Sequence, residues 1–131
     1  MTVAPTAPVS KGALWTGRIL SAIPVLMMLM GAAMTFFKPE MATEGIVKYG
    51  YPAGIVLYLG ITELVCALLY AIPRTSVLGA ILLTGYLGGA TATHVRIGEA
   101  NWFVPVLFGV VVWLGLYLRD SRLRALVPLR S

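Results

Sequence analysis

The residue best placed to do chemistry is Glu63, which stands alone in an apolar run: no other charged side chain occurs between Lys48 and Arg74. In a helix that begins near Pro52, Glu63 lies about 11 residues in, roughly 16 Å along the axis. An ionisable residue at such depth in a bilayer is a functional-site hypothesis by default. Three-and-four spacing puts Val56, Gly60, Ala67 and Tyr70 on its face, so small residues flank the acid and a close helix contact is expected. Two roles follow: a carboxyl that handles protons or binds a polar ligand group, or a hydrogen-bonded acid that only orients the helices. An ionised carboxylate without a partner has a large cost there, and no Lys or Arg is placed to reach it. The expectation is an inward, protonated carboxyl bonded to the next helix, with Thr84 as its partner.

Thr84, Thr91 and His94 share one face of that next helix with Ala80 and Leu87, a partly polar stripe rising from mid-membrane. It reads either as a wet or ligand-lined groove between the second and third spans, or as threonines bonded to their own backbone. His94 is the only histidine, which excludes a two-histidine haem and a multi-histidine metal site within one chain. It is either an interfacial hydrogen-bonding residue or part of a site with Arg96 and Glu99. No triad, metal-ligand cluster or phosphate loop occurs, so catalytic residues stay unassigned. The single cysteine, Cys66, cannot form an intrachain disulfide and reads as a small packing residue.

The elements that hold these residues follow from runs and breaks. Residues 19–37 carry no charge over nineteen positions, close to the roughly 20 needed to span a hydrocarbon core. Pro24 bends that run and Gly31 thins one face. A cleaved signal peptide ending near Gly31-Ala32-Ala33 is the rival reading. Pro39 suits the first turn of a short surface helix, which Gly50 and Pro52 end. Pro73 closes the second span, and Thr75 or Ser76 can cap the third. Gly85 and Gly89 form a G-x-x-x-G pair that admits a neighbouring backbone. Pro105 falls in the first turn of the fourth span, with Trp102 and Tyr117 at its two interfaces. The helices are expected at about 14–37, 52–72, 77–95 and 102–118, with tails at 1–13 and 119–131.

Short links make neighbouring helices antiparallel, so the fold class is an all-α, four-helix up-down-up-down membrane bundle. Composition agrees: 59% of the 131 residues are apolar and 11% charged, against roughly 25% charged in a soluble domain. The net charge of +5 sits at the chain ends and between the apolar runs, which argues against nucleic acid and for membrane topology. Lys11, Arg18, Arg74, Arg119, Arg122, Arg124 and Arg130 share one side, seven cations against Lys38, Lys48 and Arg96 on the other. Both termini are therefore expected in the cytoplasm, and the terminal arginines are expected to attract anionic lipid.

The stretch from Glu63 through Pro73-Arg74-Thr75, running on through Thr84-Gly85 to His94-Val95-Arg96, resembles the DoxX-like family. Trp15-Thr16-Gly17-Arg18, Lys38-Pro39 and Gly50-Tyr51-Pro52 add to the likeness, which covers roughly residues 14–118. Glu63, Pro73, Arg74, Thr84, Gly85, His94 and Arg96 match the family pattern. The chain departs from it where members place a Lys near the outer end of helix one; here the residues are Met34-Thr35-Phe36-Phe37. The resemblance implies a four-helix bacterial membrane protein. Relatives include the large subunit of a thiosulfate:quinone oxidoreductase and components of redox-stress complexes. It implies an accessory component of a membrane redox or stress-response assembly, with other membrane or redox proteins, or a second copy of the chain, as partners. The alternative is an oxidoreductase subunit holding quinone, the one cofactor implied, or another lipophilic molecule near Glu63 and His94. A small transporter is the weaker alternative.

Overall fold

Ser10 starts the first helix: its Oγ accepts from the Ala13 N–H at 3.2 Å, one of the donors that a helix N-terminus leaves unpaired. The structure, a computed structural model, describes residues 9–127. The expectations for residues 1–8, and for Arg130 in the terminal stretch 128–131, lie outside the described residues. Helix α1 is Lys11–Phe37, so it begins three residues before the expected position 14. The Ser10 cap sets this earlier start. Helix α2, Pro39–Lys48, has Pro39 in its first turn and no buried residue. The chain turns just after it at Gly50, whose φ of +90° favours a residue without Cβ.

A short 3-10 turn, Ala53–Ile55, leads into α3, Val56–Ala71. A second one, Pro73–Thr75, leads into α4, Ser76–Arg96. Here the expected cap is absent. Thr75 Oγ1 donates backwards to the Leu69 carbonyl (2.7 Å), and Ser76 Oγ lies 2.9 Å from the Tyr70 carbonyl. These hydroxyls satisfy the C-terminus of α3 rather than the N-terminus of α4, because Pro73 folds them back over it. A third 3-10 turn, Ala100–Trp102, precedes α5, Phe103–Arg119, and the short α6, Ser121–Arg124, follows.

Four helical segments are long and apolar enough to cross a membrane: Lys11–Phe37, Ala53–Ala71, Pro73–Arg96 and Ala100–Arg119. Helix α1 packs on α3 and α5, and α4 closes the ring against the same two. Among the described residues there is no strand. This is an all-α membrane bundle.

Lipid is as apolar as leucine, so close packing and hydrogen bonds hold such helices together. Helices α1 and α5 meet with almost no side chain between them. A Cβ on Gly17 would stand 2.7 Å from the Gly115 carbonyl oxygen. Below the crossing, the fully buried Tyr70 donates to the Val112 carbonyl at 2.6 Å and meets Ser21 Oγ at 3.0 Å. One α3 side chain thus ties together α1 and α5. Cys66 is buried in the same core, as a packing residue would be.

Candidate functional site

Glu63 faces inward. Its neighbours on α3, Val56, Gly60, Ala67 and Tyr70, are all buried, and the acid itself is half-buried between them. The carboxyl packs against the bare backbone of α1 at Gly31, where a Cβ would overlap Glu63 Oε1. The Tyr86 hydroxyl of α4 donates to Glu63 Oε2 at 3.5 Å, and no ion pair reaches the acid among the described residues. Beside it is a cavity of about 200 Å³ with apolar walls that include Pro24, Met28, Leu83 and Phe108. Ligand pockets usually measure about 300–1,000 Å³, whereas a water occupies about 30 Å³ of liquid. The size suits a few waters or a small polar group beside the carboxyl.

Thr84 is not the partner of Glu63. Its hydroxyl donates to the Ala80 carbonyl (2.8 Å) and accepts from Trp113 Nε1 (2.7 Å) on α5. Thr91 likewise bonds its own helix at the Leu87 carbonyl, 2.9 Å away. Both threonines line an open apolar groove of about 550 Å³ between α4 and α5, with Pro105, Gly109, Trp113 and Tyr117 on its far wall. Thr84 and Thr91 therefore face a groove between the third and fourth spans, not between the second and third. Threonines satisfied by their own backbone have no need to point at the acid.

The family model described as the DoxX-like family matches residues 19–115. The chain belongs to the DoxX-like family. No curated protein and no solved structure matches it. With four apolar spans, this DoxX-like chain is a multi-pass membrane protein.

At the end of the bundle away from α6, the DoxX-like chain gathers a polar cluster. His94 Nδ1 bonds the Ala90 carbonyl at 2.7 Å, and its Nε2 lies 3.5 Å from Glu99 Oε2. Tyr49 donates to the same carboxylate oxygen at 3.2 Å and lays its ring 5.1 Å from the imidazole. Burial first, and then the Glu99 carboxylate, hold the Tyr49 phenol above the ordinary tyrosine range. Arg96 turns away from Glu99: its Nη2 donates to the Tyr49 carbonyl, and its guanidinium lies 5.9 Å from the Tyr51 ring centre. Tyr51 bonds Thr93 Oγ1. The cluster clasps the 49–51 connection to the end of α4.

The expected site residues thus divide among three places: Glu63 in the core, Thr84 and Thr91 in the groove, His94 and Arg96 in the clasp. Tyr86, Trp113 and Tyr49 were not anticipated. The signal for Tyr86 was its register, since Leu83, Tyr86 and Thr93 repeat at helical spacing and Leu83 and Thr93 are both buried. Gly85 and Gly89 stand clear of the bundle: a Cβ at either position would meet nothing within 4 Å among the described residues. Their expected packing partner is not among the described residues, because the α4 face that meets α3, at Gly79, Ala80 and Leu83, is roughly 150° round the helix.

Proposed function

We propose that this protein is an accessory component of a membrane redox or stress-response assembly, seated in the bacterial inner membrane with both termini cytoplasmic. The observation that carries this reading is the bare strip on α4. Gly85, Gly88 and Gly89 are exposed at mid-span, and a Cβ at any of them would meet nothing within 4 Å among the described residues. Each glycine costs a helix about 1 kcal/mol relative to alanine, and lipid gains nothing from its lack of a side chain. A second helix does, because bare backbone lets it approach closely. The redox or stress character of the assembly comes from what membership of the family implies.

The groove between α4 and α5 favours a second reading, an oxidoreductase subunit that holds quinone or another lipophilic molecule. Its volume is in the ligand range, and the Trp113–Thr84 pair supplies one polar point on apolar walls.

A photo-crosslinking amino acid placed at Gly88 tests the first reading in the native membrane. The expected result is a protein adduct identified by mass spectrometry, absent when the probe replaces Tyr58, an exposed residue of α3. An adduct of two copies of this chain identifies a homo-oligomer. If Gly88 gives only the lipid adducts of the Tyr58 control, the assembly reading fails. Quinone retained by the purified protein would then favour the second.

A further inference from the structure

Arg119 ends α5 with a donor left over. Its Nη2 donates to the Tyr70 carbonyl at 3.2 Å, and the guanidinium lies 5.0 Å from the Tyr70 ring centre. Its Nε is buried and has no hydrogen-bond partner among the described residues. A buried N–H of a charged group that meets no acceptor is costly, so the position favours an acceptor brought in beside it.

The surroundings supply the rest of a site. A cup of about 300 Å³ opens beside Arg119, lined also by Arg18, Ser76, Asp120 and Arg122. Asp120 is the only acid of that lining, and Arg122 holds it, with Nε 3.3 Å from Oδ1. Three arginines less one aspartate leave the cup at +2. Arg18 lies over the Trp15 ring at 5.1 Å and has no carboxylate partner among the described residues. A second hollow of about 310 Å³ shares Arg18, Pro73 and Arg119 with the cup and continues along apolar Ala22 and Val25 of α1.

Depth fixes the ligand class. From Arg18 to Phe37 is 20 residues of α1, about 30 Å, the thickness of the hydrocarbon core. Arg18 therefore stands where the core gives way to head groups. A cationic cup at head-group level that continues into an apolar hollow matches one molecule in both parts.

We propose that Arg18, Arg119 and Arg122 form a site for the phosphodiester of an acidic phospholipid, with an acyl chain in the hollow along α1. A zwitterionic lipid fits less well, because its ammonium would enter a cup that is already positive. Arg119 passes the binding on to the core, since it holds the carbonyl and ring of the tyrosine that ties α1, α3 and α5. This inference is independent of the assembly and groove readings.

Thermal unfolding of the full chain, delipidated in neutral detergent, tests it. Phosphatidylglycerol is expected to raise Tm saturably, phosphatidylcholine much less, and inorganic phosphate not at all. Arg18→Gln and Arg119→Gln should each raise the half-saturating lipid fraction about fivefold. Arg124→Gln should leave it unchanged, because that guanidinium is bound to the Tyr117 and Leu118 carbonyls. Should Arg119→Gln fail to fold, Arg18→Gln decides alone, since the hydrogen bonds and ring contact that hold Tyr70 come from Ser21, Val112 and Arg119. Equal shifts from the two lipids, or a full shift in Arg18→Gln, overturn the site. The same shift from inorganic phosphate overturns the lipid as its source.

Discussion

At the scale of the residue, Glu63 is an acid with no cation paired to it among the described residues, held between a bare turn of α1 and the hydroxyl of Tyr86. Ionised there, it would bear most of a desolvation cost that no partner offsets. Its protonated form is expected to show as an infrared carboxyl carbonyl band that Glu63→Gln removes. Glutamine keeps the shape and an acceptor for Tyr86, so the fold should hold within about 1 kcal/mol. Glu63→Leu leaves the Tyr86 hydroxyl without an acceptor and should cost about 1–3 kcal/mol. A cellular phenotype that Gln abolishes while Tm stays unchanged would assign Glu63 to function; one that survives Gln would assign it to scaffolding. The place of the acid and its inward face were legible, because small residues at helical spacing can only favour a close contact. Its partner was not. Thr84 and Tyr86 are two positions apart, about 200° around the helix, so they lie on nearly opposite faces and the choice of buried face decides between them. Helix α4 has glycines and threonines on every side, which leaves its pattern little power to fix that face.

At the scale of the element, close approach is set by where bare backbone meets bare backbone. Gly17 and Gly115 do this at the α1–α5 crossing, whereas Gly85 and Gly89 face away from the bundle. Gly17→Leu should therefore force the two helices apart and lower stability by about 3 kcal/mol or more, beyond ordinary overpacking. Gly85→Leu should change the stability of the isolated, detergent-solubilised chain by no more than about 0.5 kcal/mol, as surface substitutions do. Thermal unfolding of both variants checks the contrast, and a large loss in Gly85→Leu would show that the isolated chain packs on that face. The G-x-x-x-G spacing drew attention to the wrong pair for the interior because spacing reports a bare strip, not what lies against it. The real crossing joins glycines 98 positions apart, which no local pattern contains. Helix ends were more legible: Pro39, Gly50 and Pro73 act on their own backbone and need no distant partner.

At the scale of the whole molecule, the four spans were legible because lipid leaves a chain few choices: each crossing must satisfy its own backbone and show an apolar surface of sufficient length. The cup, the groove and the clasp were not, since each joins residues from different spans. What length cannot supply, charge does. Lys11, Arg18, Arg74, Arg119, Arg122 and Arg124 lie on α1's first turns, the link after α3 and the end of α5 with α6, one end of an antiparallel bundle. Lys38, Lys48 and Arg96 lie at the other. The connections are short, the condition under which Lys and Arg near helix ends govern insertion. Internal pairing does not alter the count, because the rule counts Lys and Arg residues near the helix ends and not their net charge. Reporter fusions after Arg74 and after Arg130 are therefore expected to read cytoplasmic, and one after Glu44 external. Moving charge should move topology: replacing Arg119, Arg122, Arg124 and Arg130 by glutamine leaves three cations on each side. A mixed population in the same assay is then expected, where the wild type gives one orientation. A periplasmic reading after Arg130 in the wild type would overturn this orientation and place the α6 end outside.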